Sequence, residues 1–129
     1  MKFSVVLEIP EAQNISLELD DAKSPETVKM ILANLPIRTK IHIWGEELYS
    51  DPMPAKAEEE NAVSVVSLSD VAYWPPGHAL CLFYGPTPMS SGEEIRPYSP
   101  VNVIGKIQNP NKEIISKLWD GIRATLKAA

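Results

Sequence analysis

Cysteine is nearly absent from this 129-residue chain, where Cys81 stands alone. A single thiol excludes an intrachain disulfide and any CxxC redox or metal motif. Histidine is almost as scarce. His42 and His78 form no HxH or HxxxH pair, so the sequence offers no metal-ligand set, and no metal or other cofactor is expected. No apolar run approaches the roughly 18 residues that a membrane span needs. Residues 1–4 run straight into a strand pattern without a signal-peptide core, so a cytoplasmic protein without a membrane partner is expected. Positive charge is short as well. Seventeen acidic residues against twelve basic ones give a net charge of −5, which repels phosphate backbones. Lys106, Lys112, Lys117, Arg123 and Lys127 crowd the C-terminal end, but surface lysines usually only solvate, and no nucleic-acid partner is expected. Nothing in the sequence sets an oligomeric state. Internal repeats and linkers are absent too, so residues 1–129 are expected to form one domain.

What is present is period-two alternation. Phe3, Val5, Leu7 and Ile9 alternate with polar neighbours, and Ile15, Leu17 and Leu19 repeat the pattern after a short Pro10-Glu11-Ala12-Gln13 loop. That reads as a hairpin of two half-buried strands. Ser24 is a good helix N-cap, Pro25 suits the first helical position, and Val28, Ile31, Leu32 and Leu35 make one apolar stripe ended by Pro36. Residues 37–44 alternate again, Gly45 breaks them, and a short strand through Leu48 and Tyr49 follows. Residues 51–60 end in Glu58-Glu59-Glu60 and read as a solvated loop. Residues 62–68 and 71–74 read as strands joined at Ser69-Asp70, and residues 79–84 as a strand buried on both faces. Residues 85–100 form a long loop. Residues 101–107 are a strand in which Gly105 signals a bulge or a close backbone approach. Toward the C-terminus, a short helix near Asn111 followed by a strand through Ile122, Ala124 and Leu126 competes with one continuous helix. The sum is a mainly β protein, a closed or nearly closed antiparallel barrel with one or two short helices.

The run Asp70-Val71-Ala72-Tyr73-Trp74-Pro75-Pro76-Gly77-His78-Ala79-Leu80-Cys81-Leu82-Phe83-Tyr84-Gly85-Pro86-Thr87-Pro88, with Ile95-Arg96-Pro97 and Pro100-Val101-Asn102-Val103-Ile104-Gly105, resembles a family of small prokaryotic cyclophilin-like proteins. The resemblance covers most of the chain and is densest over residues 44–50 and 70–107. It implies a stand-alone cyclophilin-like β-barrel of a group largely without an assigned activity. The family usually carries glycine where this chain has Ser69, which bears on the local turn. True cyclophilins carry a Phe-His-Arg segment whose arginine holds the proline-side carbonyl, and a Phe-Met-x-Gln stretch lining the pocket. Neither occurs here.

Several residues invite a functional reading, each with a structural alternative. Trp44-Gly45-Glu46-Glu47-Leu48-Tyr49 sets two carboxylates beside two aromatics at a strand corner; it is a pocket wall or a solvated turn. Tyr73, Trp74 and Phe83 adjoin rigid proline turns, which favours a preformed pocket, although strand aromatics often serve the core. Tyr73 and Trp74 must face opposite ways, so only one of them lines a cavity. His78 and Cys81 fall on opposite strand faces and cannot act as base and nucleophile, and Cys81 reads as a small core hydrophobe.

Arg96 and Asn102 flank a proline-rich loop, where the arginine pairs with a ligand carboxylate, with Glu46 or Glu47, or within a structural salt bridge. The leading expectation is a domain that binds a small molecule or an extended peptide between Trp44, Tyr49, Tyr73 or Trp74, Phe83 and Thr87. Glu46, Glu47, Arg96 and Asn102 would orient the ligand. A prolyl isomerase with a rebuilt site using Arg96 is the alternative, and an assembly role through exposed strand edges is the third.

Overall fold

The computed structural model describes residues 1–129. Eight strands and two helices follow in the order β1 (Lys2–Glu8), β2 (Ile15–Asp20), α1 (Pro25–Asn34), β3 (Ile37–Trp44), β4 (Glu47–Ser50), β5 (Asp70–Trp74), β6 (Ala79–Phe83), β7 (Asn102–Ile107), α2 (Lys112–Ile115) and β8 (Ile122–Ala128). A single turn of 3₁₀-helix, Pro75–Gly77, joins β5 to β6. Around the barrel the strands run β1-β2-β7-β5-β6-β4-β3-β8 and close on β1, every pair antiparallel. Closure removes the unpaired edges that an open sheet would present.

The alternation of the sequence decides which way each strand faces. Val5, Leu7, Leu17, Leu19, Ile41, Leu48, Val71, Tyr73, Leu80, Leu82, Ile104 and Leu126 all point inward and are almost fully buried in one apolar cluster. Each such side chain contributes about 1.5–3 kcal/mol by leaving water, so the barrel interior is the main store of stability. Helix α1 adds Val28 and Ile31 to the same cluster. The strand following α2 is present, so the C-terminus is a helix and then a strand rather than one helix. No helix is long and apolar enough to cross a membrane.

Gly105 performs both tasks expected of it. The β5–β7 register shifts between Val71, opposite Gly105, and Ala72, opposite Val103, which is a bulge. A Cβ on Gly105 would stand 2.1 Å from the Glu18 carbonyl oxygen of β2, too close for any side chain.

Two expectations are corrected. Residues 62–68 form no strand; their β-pairing is confined to the isolated bridges Val63–Val101 and Val66–Ile95. The barrel is already closed, so this segment lies across a face instead of joining the sheet. The acidic run is not merely a solvated loop either. Glu60 accepts hydrogen bonds from the Glu26 and Thr27 amides at 3.0 Å each and from the Thr27 hydroxyl at 2.8 Å, so it caps α1. Ser24 holds the N-cap position, but its hydroxyl donates to the Glu60 carbonyl at 3.1 Å and not to the helix.

Candidate functional site

Strands β4, β6, β5 and β7 have a second apolar face, on the outside of the barrel. The pleat that sends Leu48, Leu80, Leu82, Val71 and Tyr73 inward sends Glu47, Tyr49, Cys81, Phe83, Ala72 and Trp74 outward. Glu47 pairs with Phe83 and Tyr49 with Cys81 in the β4–β6 register, so these side chains share one surface. The segments carrying Val66, Ile95 and Val101 fold over it and bury a second cluster with Ala72, Cys81 and Phe83. Beside that cluster is a concavity of about 210 Å³ lined by Trp44, Glu47, Tyr49, Trp74, Cys81, Pro97, Tyr98 and Val101.

Aromatic rings form its rim. Tyr98 stands between two indoles, 6.0 Å from Trp44 at 67° and 5.8 Å from Trp74 at 84°, edge to face with both. The Trp74 indole N–H donates to the Ser99 hydroxyl at 2.6 Å, which ties the loop carrying Tyr98 to the end of β5. The Trp74 ring, held in this way, needs little reordering when a ligand arrives.

At the floor, Glu47 is only 5% exposed. Its Oε1 has no hydrogen-bond partner in the protein. Burial raises the carboxyl pKa to about 7, and the neighbouring Cys81 thiol acts in the opposite direction to a smaller extent. Burial also drives the Cys81 thiol well above its ordinary range, with Glu47 adding to the shift, so Cys81 is not a ready nucleophile. The Tyr49 hydroxyl is raised chiefly by burial and then by Asp120, Glu47 and Asp51. The arrangement sets one proton-exchanging carboxyl in an aromatic wall.

Of the residues singled out in the sequence, Trp44, Glu47, Tyr49 and Trp74 come together around this concavity. The others do not. Tyr73 faces the filled barrel interior, where its hydroxyl accepts from the Ala57 amide at 3.1 Å. Phe83 is fully buried beneath the covering segments and does not reach the cavity. Glu46 turns away to pair with Lys112 at 2.9 Å. Thr87 organises its own loop, its hydroxyl donating to the Arg96 carbonyl and its amide to the Ser90 hydroxyl at 2.9 Å. The Arg96 guanidinium pairs with Glu94 at 2.6 Å, a local salt bridge outside the cavity. Asn102 is a structural clamp: its Oδ1 accepts from the Glu60 amide at 2.8 Å, and its Nδ2 donates to the Glu58 carbonyl at 2.9 Å and to the Thr27 hydroxyl at 3.1 Å.

The lining residues that sequence reasoning missed are Cys81, Pro97, Tyr98 and Val101. Tyr98 had a readable signal. It lies between Pro97 and Pro100, the same aromatic-beside-proline context that marked Trp74.

A family described as Cyclophilin-like matches residues 1–127. The chain belongs to this cyclophilin-like family. Among solved structures, it is similar to the solution structure of the hypothetical protein AF2241 from Archaeoglobus fulgidus, at 40% identity and a TM-score of 0.84, over 99% of this chain and 95% of that one. It is also similar to the structure of McbB in complex with tryptophan, at 14% identity and a TM-score of 0.74. That match covers 96% of this chain but 44% of McbB, and at such low identity it speaks for the fold alone. No curated protein matches. All the residues that line the outer-face cavity of this cyclophilin-like barrel fall within residues 44–50 and 70–107.

Proposed function

We propose that this cyclophilin-like domain is a binding module for a small, largely apolar ligand, held on the outer barrel face by Trp44, Trp74 and Tyr98 above Glu47. The observation that carries the reading is a concavity walled by aromatic rings, with a single buried carboxyl in its lining. Pockets of this make-up, mainly apolar with one polar group to orient the guest, are the usual form of a small-molecule site. At about 210 Å³ the cavity is smaller than the roughly 300 Å³ at which drug-sized sites begin, so the guest is about one ring system in size. The tryptophan named for McbB is a ligand of that size class.

A small guest is favoured over an extended peptide for a specific reason. The path a peptide would take across β5 and β7 carries the chain's own residues Val63, Val66, Ile95 and Val101. The other two readings lose their supports. Arg96, the residue an isomerase would use, is engaged by Glu94 away from the cavity. Assembly through exposed strand edges has no edge to use in a closed barrel.

A screen of ring-sized aromatic fragments by ¹H–¹⁵N NMR tests the proposal. Binders should shift the Trp44 and Trp74 indole N–H signals together with the Glu47 and Tyr98 amides. Trp44→Ala should weaken them about tenfold or more, the loss typical of a buried aromatic anchor. Shifts confined to any other face of the barrel would refute this site.

A further inference from the structure

Glu47 is the only carboxylic acid in the wall of the aromatic cavity. It is 5% exposed, and its Oε1 is buried without a partner. The Cys81 thiol beside the carboxyl carries no positive charge, and a buried carboxylate without a counter-charge is unfavourable, so proteins ordinarily neutralise one with a cation. No lysine or arginine of this chain lines the cavity. Lys112, at the start of α2, and Arg96, in the loop before β7, are committed elsewhere, to Glu46 and Glu94. The counter-charge must therefore be absent, with Glu47 protonated, or arrive with the ligand.

The rings favour arrival with the ligand. Tyr98 stands edge to face with both Trp44 and Trp74, and all three rings line the same cavity as the carboxyl. Aromatic faces carry negative charge density and attract a cation most strongly where water is excluded. A neutral carbonyl guest could accept a hydrogen bond from protonated Glu47, but the rings would add nothing specific to it. An uncharged ring would fit the rings and leave Oε1 unpaired. A guest that answers both features has positive charge and at least one N–H.

We infer that the cavity takes a protonated amine carried on a small aromatic or apolar body, with the ammonium N–H groups donated to Glu47 and its flanks covered by Trp44, Trp74 and Tyr98. This assignment rests on the outer-face cavity being the binding site. It names the ligand class and gives binding a proton linkage. The titratable groups that share the cavity with Glu47 are Cys81 on β6, Tyr49 on its own strand and Tyr98 in the covering loop. His42, Asp51 and Asp120 cluster beside Tyr49, with His42 Nε2 2.6 Å from Asp51 and Nδ1 3.6 Å from Asp120. With the carboxyl titrating near neutrality, an ammonium guest binds best where Glu47 is already ionised and expels its proton where it is not.

Tryptamine and its uncharged counterpart 3-ethylindole separate the parts of the argument, since tryptamine stays cationic throughout the range used. Calorimetry and NMR on the intact protein at pH 8 should give tryptamine an advantage of about tenfold or more. At pH 5 the advantage should fall toward parity, and near pH 6 tryptamine binding should release a proton, read from its dependence on buffer ionisation enthalpy. Glu47→Gln should retain 3-ethylindole and lose the advantage at every pH. Equal affinity of the two probes at pH 8, or an advantage that survives Glu47→Gln, overturns the ammonium assignment while leaving the cavity in place. Failure of both probes to shift Trp44, Trp74 and Tyr98 at millimolar concentration overturns the ammonium assignment and the site together.

Discussion

The two faces of the same four strands solve opposite problems. Inside the barrel, β4, β6, β5 and β7 present Leu48, Leu80, Leu82, Val71 and Ile104, which pack to near-zero exposure, with the Tyr73 hydroxyl already satisfied by Ala57. Outside, they present Glu47, Tyr49, Cys81, Phe83 and Trp74, covered by loop segments that complete the burial only in part. The interior is aliphatic and solidly filled. The outer face is aromatic, keeps a concavity and buries a carboxyl that has an unpartnered oxygen. Structure is concentrated on one face and unspent interaction on the other, and this is where a binding function has room.

The largest expected effect tests the first half of that contrast. Leu82→Ala removes an interior side chain that is 1% exposed and should cost about 2–5 kcal/mol in denaturant unfolding, by lost burial plus the cavity left behind. Val66→Ala, in the segment lying over the outer face, should cost only about 1–2 kcal/mol. A larger loss from Val66 than from Leu82 would mean that the covering segment, and not the barrel interior, holds the molecule together.

The second half of the contrast predicts a gain. Glu47 has a folded pKa of about 7 against 4.5 for an ordinary glutamate, so the folded state holds its proton more tightly than the unfolded chain does. Below pH 4.5 both states are protonated and nothing is lost. As pH rises from 4.5 through 7 the unfolded chain releases its proton before the folded one does, and stability falls until the folded carboxyl is ionised too. The difference corresponds to about 3 kcal/mol at pH 8, from roughly 1.4 kcal/mol per pH unit. Glu47→Gln should recover most of this at pH 8 and little at pH 4.5, read as unfolding midpoints across that range. A pH-independent effect of the substitution would show that Glu47 is not the buried acid described here.

These differences between faces were unevenly legible in the sequence. The interior was readable because it obeys one rule: Val5, Leu7, Leu17, Leu19 and Leu126 alternate strictly, and a two-residue period has only one buried face to offer. The outer site broke that rule. Residues 79–84 read as buried on both faces, which they largely are, but nothing local says that one side is covered by residues 63–66 and 95–101. Tertiary covering of this kind leaves no periodic trace. Glu47 and Trp74, which line the cavity, drew attention because a carboxylate and an aromatic ring stand beside turns at strand ends.

The roles of Arg96 and Asn102 stayed open in the sequence for a related reason. Charge and hydrogen-bonding capacity are visible in a sequence, but the partners that consume them, Glu94 beside Arg96 and the Glu58–Glu60 backbone beside Asn102, are matters of loop geometry. The acidic run looked solvated because the helix end that Glu60 caps is 34 residues away from it in sequence.

The smallest expected effect lies at the seam between the faces. Ser69 ends the covering segment where the chain rejoins the barrel at β5, its amide donating to the Phe83 carbonyl and its own carbonyl accepting from Ile107, each at 2.8 Å. Its φ is +72°, in the left-handed region where a Cβ is unfavourable. The glycine that the resemblance places at this position is thereby explained: it turns the corner without that cost. Ser69→Gly should stabilise the protein by a few tenths to about 1 kcal/mol, since the relief of the left-handed serine is partly offset by the greater freedom of glycine in the unfolded chain. The gain should appear equally at pH 5 and pH 8 and leave fragment binding unaltered, because the seam carries neither Glu47 nor the rings. Destabilisation by Ser69→Gly would instead show that the serine side chain supports the turn, and that the backbone angle is not what the position selects for.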